Sequence, residues 1–268
     1  VIKGIYTENT MTKFYFTLLA VMCSLLVLSQ PQTVAEKSNF ESTSYESDVL
    51  GFINEISKKS SKIRIETLGV STEGRQIPLL VIADPMIQSP QQLANDPRMV
   101  FYIQANIHAG EVEGKEASLM LARELLYGGR KDLLRNIIFL ICPNFNPDGN
   151  EAISPKNRTH QNGPTNGVGL RSNGQMLDIN RDGMKLETPE MSGLLKNVLL
   201  KWDPQVTVDC HTTNGSFHEE PVTFSWMMNC AGDRTLTTYM EKQMMPEVSA
   251  TLQNNYKDRK STRLNSSH

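Results

Sequence analysis

Two apolar runs constrain this chain more than any other feature. "RMVFYIQANI" (98–107) and "NIIFLICPNFNPDG" (136–149) carry almost no charge along their apolar cores. A strand of that kind must be covered on both faces. Between them, "EGKEASLMLARELLYGG" repeats apolar residues at helical spacing and stops at paired glycines, the pattern of a helix and its C-terminal stop. Strand, helix, strand in that order places parallel neighbours under a packed helix.

The rest of the chain extends this unit. "KIRIETLGV" and "QIPLLVIAD", joined through "EGR", read as a hairpin of two strands. "TPEMSGLLKNVLLKW" opens with a good helix cap and first turn, and "PQVTVDCH" is a further strand. The expected fold is α/β, a mixed, largely parallel central sheet flanked by helices. With 268 residues and 39% hydrophobic content, the chain can bury one core, so one domain is expected. A net charge of −2 gives no electrostatic basis for binding nucleic acid or an anionic membrane. The partner is therefore expected in a pocket.

Both ends read as separate from the fold. Residues 1–10 precede Met11 and look like upstream read-through. Residues 11–35 combine Lys13, an apolar stretch from Phe14 to Leu28 and small or polar residues through Ala35. This is the form of a secretory signal peptide cut after Ala35, which implies a secreted or periplasmic protein. The alternative is a membrane anchor, although the stretch is short for the roughly 20 residues of a spanning helix. Residues 257–268 read as an artefactual or naturally disordered tail. Of the four cysteines, Cys23 falls in the leader; Cys142 and Cys210 lie in apolar runs and read as buried free thiols, leaving Cys230.

A candidate site follows from the strand ends. His108 follows the strand at 99–106 and His211 ends the one at 205–210; ligands of open α/β sheets collect at such ends. Ala109 and Gly110 permit a tight bend, so Glu111 can turn toward the same point. Two imidazoles and a carboxylate suit a catalytic zinc with one position left for water. Asp209 shares a strand face with His211 and can orient it. An H-x-x-E pair alone is common by chance, and a lone histidine is more often a plain loop or core residue.

"HAGEVEG", "PNFNPDG", "LDINRD" and "DCHTTNG", in that order, resemble the zinc carboxypeptidase family, the carboxypeptidase A-like metallopeptidases, over about residues 43–256. "IETLGVSTEGRQIPLLVI" also resembles the opening strands of their catalytic domain. The resemblance implies one Zn²⁺ per chain held by His108, Glu111 and His211. It makes Asp178 the acid behind a ligand histidine, and Asn180 with Arg181 the pair holding the substrate's terminal carboxylate. A guanidinium fork suits that task. A second arginine would polarise the scissile carbonyl: Arg158 is the first choice and Arg171 the alternative. The implied partner is a peptide or protein with a free C-terminus, acted on by a monomer that begins almost directly with its catalytic domain.

The chain departs from the family in one respect. The family's general-base glutamate lies on a late strand beyond the third ligand, and no such strand follows here. Glu219 and Glu220 do not match that motif, and His218 and Tyr256 receive no role. An incomplete, inactive catalytic domain is therefore expected. Two other readings stay open: a zinc-dependent deacylase or amidase acting on a small amide or cell-wall peptide, and a peptide-binding module without catalysis.

Overall fold

The computed structural model describes residues 30–212, 222–226, 231–256 and 262–263. They fall into two compact units that divide between His211 and Thr212. The first holds a five-stranded mixed sheet. Strands β1 (Ile63–Val70) and β2 (Gln76–Ile82) form an antiparallel hairpin. Its turn includes Gly74 at φ +84°, a conformation that side chains disfavour. Strand β3 (Met99–Ala105) lies parallel to β4 (Ile137–Cys142) and to β5 (Val206–Cys210), and β4 pairs antiparallel with β2. The order is β1-β2-β4-β3-β5.

Alternation along the two apolar runs distributes them over both faces. Val100, Tyr102, Ile138 and Leu140 join Leu79 and Val81 in one cluster; Ile103, Phe139 and Ile141 join Leu80 and Ile82 in the other. Helix α1 (Val34–Lys37) precedes α2 (Glu46–Ser57), and α3 (Glu113–Leu126) connects β3 to β4. The apolar faces of α2 and α3 close the second cluster. The first is closed by Leu194, Val198 and Trp202. These lie on a helical segment running from Pro189–Leu194 through a π-helical turn, Leu195–Leu199, to Leu200–Trp202.

The strand-first reading of the sequence omits α2, although Val49, Phe52, Ile53 and Ile56 recur at helical spacing and are all buried. Ala35, the expected last residue of the leader, is buried within α1. Cys142 and Cys210 are free thiols. Cys142 is buried, but Cys210 is only partly so, because β5 pairs with β3 alone among the described residues.

In the second unit β6 (Thr223–Phe224) pairs in parallel with β7 (Thr262–Arg263). Asp233 caps a helical stretch beginning at Arg234–Tyr239 and ending in Met245–Tyr256. No helix among the described residues is long and apolar enough to cross a membrane.

Candidate metal centre

The centre lies at the ends of β3 and β5. Past β3, Asn106 takes φ +64°, a left-handed turn that asparagine tolerates better than most residues. Its side chain is buried and donates to Asn144 Oδ1 at 2.7 Å and Asn150 Oδ1 at 3.1 Å. The sequence reading overlooks this group, whose signal was the density of asparagines in "PNFNPDGN". Beyond the turn, Glu111 N–H donates to the His108 carbonyl at 2.8 Å and closes the expected bend. Gly110 supplies space: a Cβ there would lie 2.3 Å from Arg158 Cδ. Gly114 does the same between α3 and β5, where a Cβ would lie 2.4 Å from Cys210 Cβ.

His108, Glu111 and His211 offer ligand atoms that all lie within 4.8 Å of one another. Glu111 is central: Oε1 is 3.1 Å from His108 Nδ1 and Oε2 is 2.7 Å from His211 Nδ1. The opposite ring nitrogens face other acids. His108 Nε2 is 3.1 Å from Asp178 Oδ1, and His211 Nε2 is 2.9 Å from Asp209 Oδ2.

A carboxylate oxygen can only accept a hydrogen bond, so each imidazole faces acceptors on both nitrogens. Protonating both nitrogens answers this by making each ring cationic. A cation shared by the two Nδ1 atoms and Glu111 answers it as well, with the Nε2 protons donated to the aspartates. Arg171 directs Nη1 at His108 Nδ1 from 3.3 Å; a cation taking that lone pair would leave this Arg171 N–H to another acceptor. The donor set thus fits zinc, with three protein ligands and carboxylates behind both histidines.

The side chains by themselves favour an ionised Glu111 and a protonated His211, so a metal bound there would displace the His211 Nδ1 proton. Burial by itself would raise the Glu111 pKa; hydrogen bonds with His108 and His211 and nearby positive charge hold it at about 2. Hydrogen bonds to Asp209 and Glu111 lift His211 to about 9.

Residues 49–240 match the zinc carboxypeptidase family. The chain belongs to that family. It is 30% identical to carboxypeptidase D of Rattus norvegicus over 150 residues, 54% of this chain and 10% of that protein. The chain therefore spans about a tenth of that relative. The fold resembles carboxypeptidase A from Helicoverpa armigera, with a TM-score of 0.60 and 18% identity, covering 84% of this chain and 57% of that one. A metallo-carboxypeptidase from Burkholderia cenocepacia is similar at a TM-score of 0.56 and 18% identity, covering 82% and 52%.

Within this carboxypeptidase domain the two arginines differ. Arg158, itself at φ +49°, directs both terminal nitrogens at Glu111 Oε1, at 3.0 and 2.7 Å. Arg171 is anchored on Asp178 through Nε and Nη2, both at 2.9 Å from Oδ2. Asn180 and Arg181 lie on the 3-10 turn Ile179–Arg181, which the Asp178 side chain caps. Asp178 thereby ties that turn to His108. The Arg181 guanidinium is exposed and donates to the Asn180 carbonyl at 3.0 Å. Asn157, in the acceptor-like "NRT", donates its amide to the carbonyls of Ala152 and Val168. His218, Glu219 and Glu220 lie outside the described residues.

Proposed function

We propose that this chain carries the catalytic part of a metallocarboxypeptidase that removes C-terminal amino acids from peptides or proteins, with one zinc ion held by His108, Glu111 and His211. The observation that supports this most is the approach of both Nδ1 atoms to the two oxygens of Glu111. Zinc, when bound, polarises the scissile carbonyl and brings the pKa of its water toward neutrality.

The chain's own groups divide the remaining tasks. Asp178 and Asp209 accept the Nε2 protons, which fixes the tautomer and raises the basicity of each ring. Asn180 and Arg181 receive the substrate's terminal carboxylate. For the carbonyl oxygen the geometry favours Arg171 over Arg158. Arg171 is held by Asp178 with one N–H directed at the centre, a donor fixed before charge develops. Arg158 directs both of its donors at Glu111, so we assign it to orienting that ligand. The leader opening at Met11 supports a secreted or periplasmic location for the protein.

The test is release of the terminal residue from an N-acylated dipeptide, compared with its C-terminal amide, by the full-length zinc-loaded parent protein. Cleavage confined to the free acid is expected. Equal cleavage of both would favour the deacylase or amidase reading, and peptide binding without release the binding-module reading.

A further inference from the structure

Gln104 breaks the apolar pattern of "VFYIQANI" on β3, and it is only 5% exposed. An amide sunk into an apolar strand must find partners there or carry a desolvation cost. Its oxygen accepts from the Tyr102 hydroxyl at 3.1 Å, and its nitrogen donates to Asp209 Oδ1 at 3.3 Å. Tyr102 is fully buried and lies two residues back on the same face of β3. Asp209 stands opposite Gln104 in the parallel register of β3 with β5.

The donor and acceptor roles run in one direction. A carboxylate oxygen only accepts, so Gln104 must present its nitrogen to Asp209; the reversed amide would set two acceptors against each other. The Tyr102 hydroxyl, donating to the amide oxygen, holds that orientation from the other end. Asp209 Oδ2 is then left for His211 Nε2, 2.9 Å away. A buried phenol is thereby linked, through an amide and a carboxylate, to the ring of a candidate zinc ligand.

Asp209 has reason to need such a partner. Its side chain is 37% exposed, and β5 pairs with β3 alone among the described residues. A carboxylate that open to solvent has rotamer freedom to lose before it can hold an imidazole. The bond from Gln104 fixes one oxygen and leaves the other directed at the ring. We infer that Gln104 is a positioning residue for the metal centre, acting on His211 through Asp209. This rests on the zinc reading above, which makes His211 a ligand and stops at the aspartate behind it.

The test is a double-mutant cycle on zinc affinity, measured on the full chain by competition with a chelator. Gln104→Leu replaces the amide by an apolar group of similar size. It should weaken zinc binding by about 3–10-fold in the parent and by less than about twofold in an Asp209→Ala background, where the group it positions is gone. Equal losses in both backgrounds would overturn the inference, because a residue acting through packing alone would weaken both alike. No loss in the parent would overturn it too. Should Gln104→Leu fail to fold, Tyr102→Phe carries the same cycle: it keeps the ring in the core and removes only the hydroxyl that orients the amide. An independent measurement needs no metal. In zinc-free protein with isotope-labelled histidine, the His211 Nε2 proton donated to Asp209 should give a resolved magnetic-resonance signal, broadened or lost in Gln104→Leu or Tyr102→Phe. An unchanged signal would overturn the role of Gln104. A parent chain that binds no zinc would overturn the metal reading instead, and this signal would then decide by itself whether Gln104 positions His211.

Discussion

His211 Nδ1 lies 2.7 Å from Glu111 Oε2, although the two residues stand 100 positions apart in the sequence. Glu111 also receives His108 and Arg158, so removing its carboxylate withdraws the common acceptor of three groups. Glu111→Ala should lower zinc affinity by about 100-fold or more, since an open site of three ligands is reduced to two. Competition with a chelator measures this; unchanged affinity would remove Glu111 from the ligand set.

Asp209 accepts from His211 Nε2 and does not itself face the centre. Asp209→Ala should weaken zinc binding by roughly 10–100-fold through loss of ring orientation, with His211 still present. A change below about threefold in the same competition assay would show that Asp209 has no part in holding the ring.

Gly114 separates packing from chemistry. An alanine there would drive its Cβ to 2.4 Å from Cys210 Cβ, and Cys210 is the residue before His211. Gly114→Ala should cost about 1–3 kcal/mol of stability and weaken zinc binding by moving the β5 end. Pairing it with Cys210→Gly should recover part of both losses. Urea unfolding and zinc titration of the two variants decide the matter, and an unaltered Gly114→Ala protein would count against the close contact.

Glu46 supplies a pH dependence away from the metal. It is 6% exposed, and burial raises its pKa from 4.5 to about 7, with Glu151 adding to the rise. Between these values the folded protein keeps a proton that the unfolded chain releases. This contribution to stability is fully present below about pH 4.5 and is lost as pH rises through about 7, by on the order of 3 kcal/mol. Glu46→Gln should therefore be more stable than the parent at pH 8, with the advantage gone at pH 4.5. Denaturant midpoints at both values test it, and a pH-independent difference would contradict it.

The apolar runs at 98–107 and 136–149 determined the sheet and its two covered faces, because alternate strand positions must point to opposite sides. Local spacing also determined that His108 and Glu111 share one bend. The helix at 46–57 was equally legible from the helical spacing of Val49, Phe52, Ile53 and Ile56. What periodicity does not carry is which loops meet. Tertiary structure alone decided that His211 reaches Glu111, through the parallel register of Ala105 with Cys210 and the missing side chain at Gly114. It also decided that Arg158 grips Glu111 while Arg171 is anchored by Asp178, and that Ala35 is buried within the first unit. The physical reason is the same in each case. A sequence pattern states which face of its own element a residue occupies, whereas these contacts depend on how closely separate elements can pack.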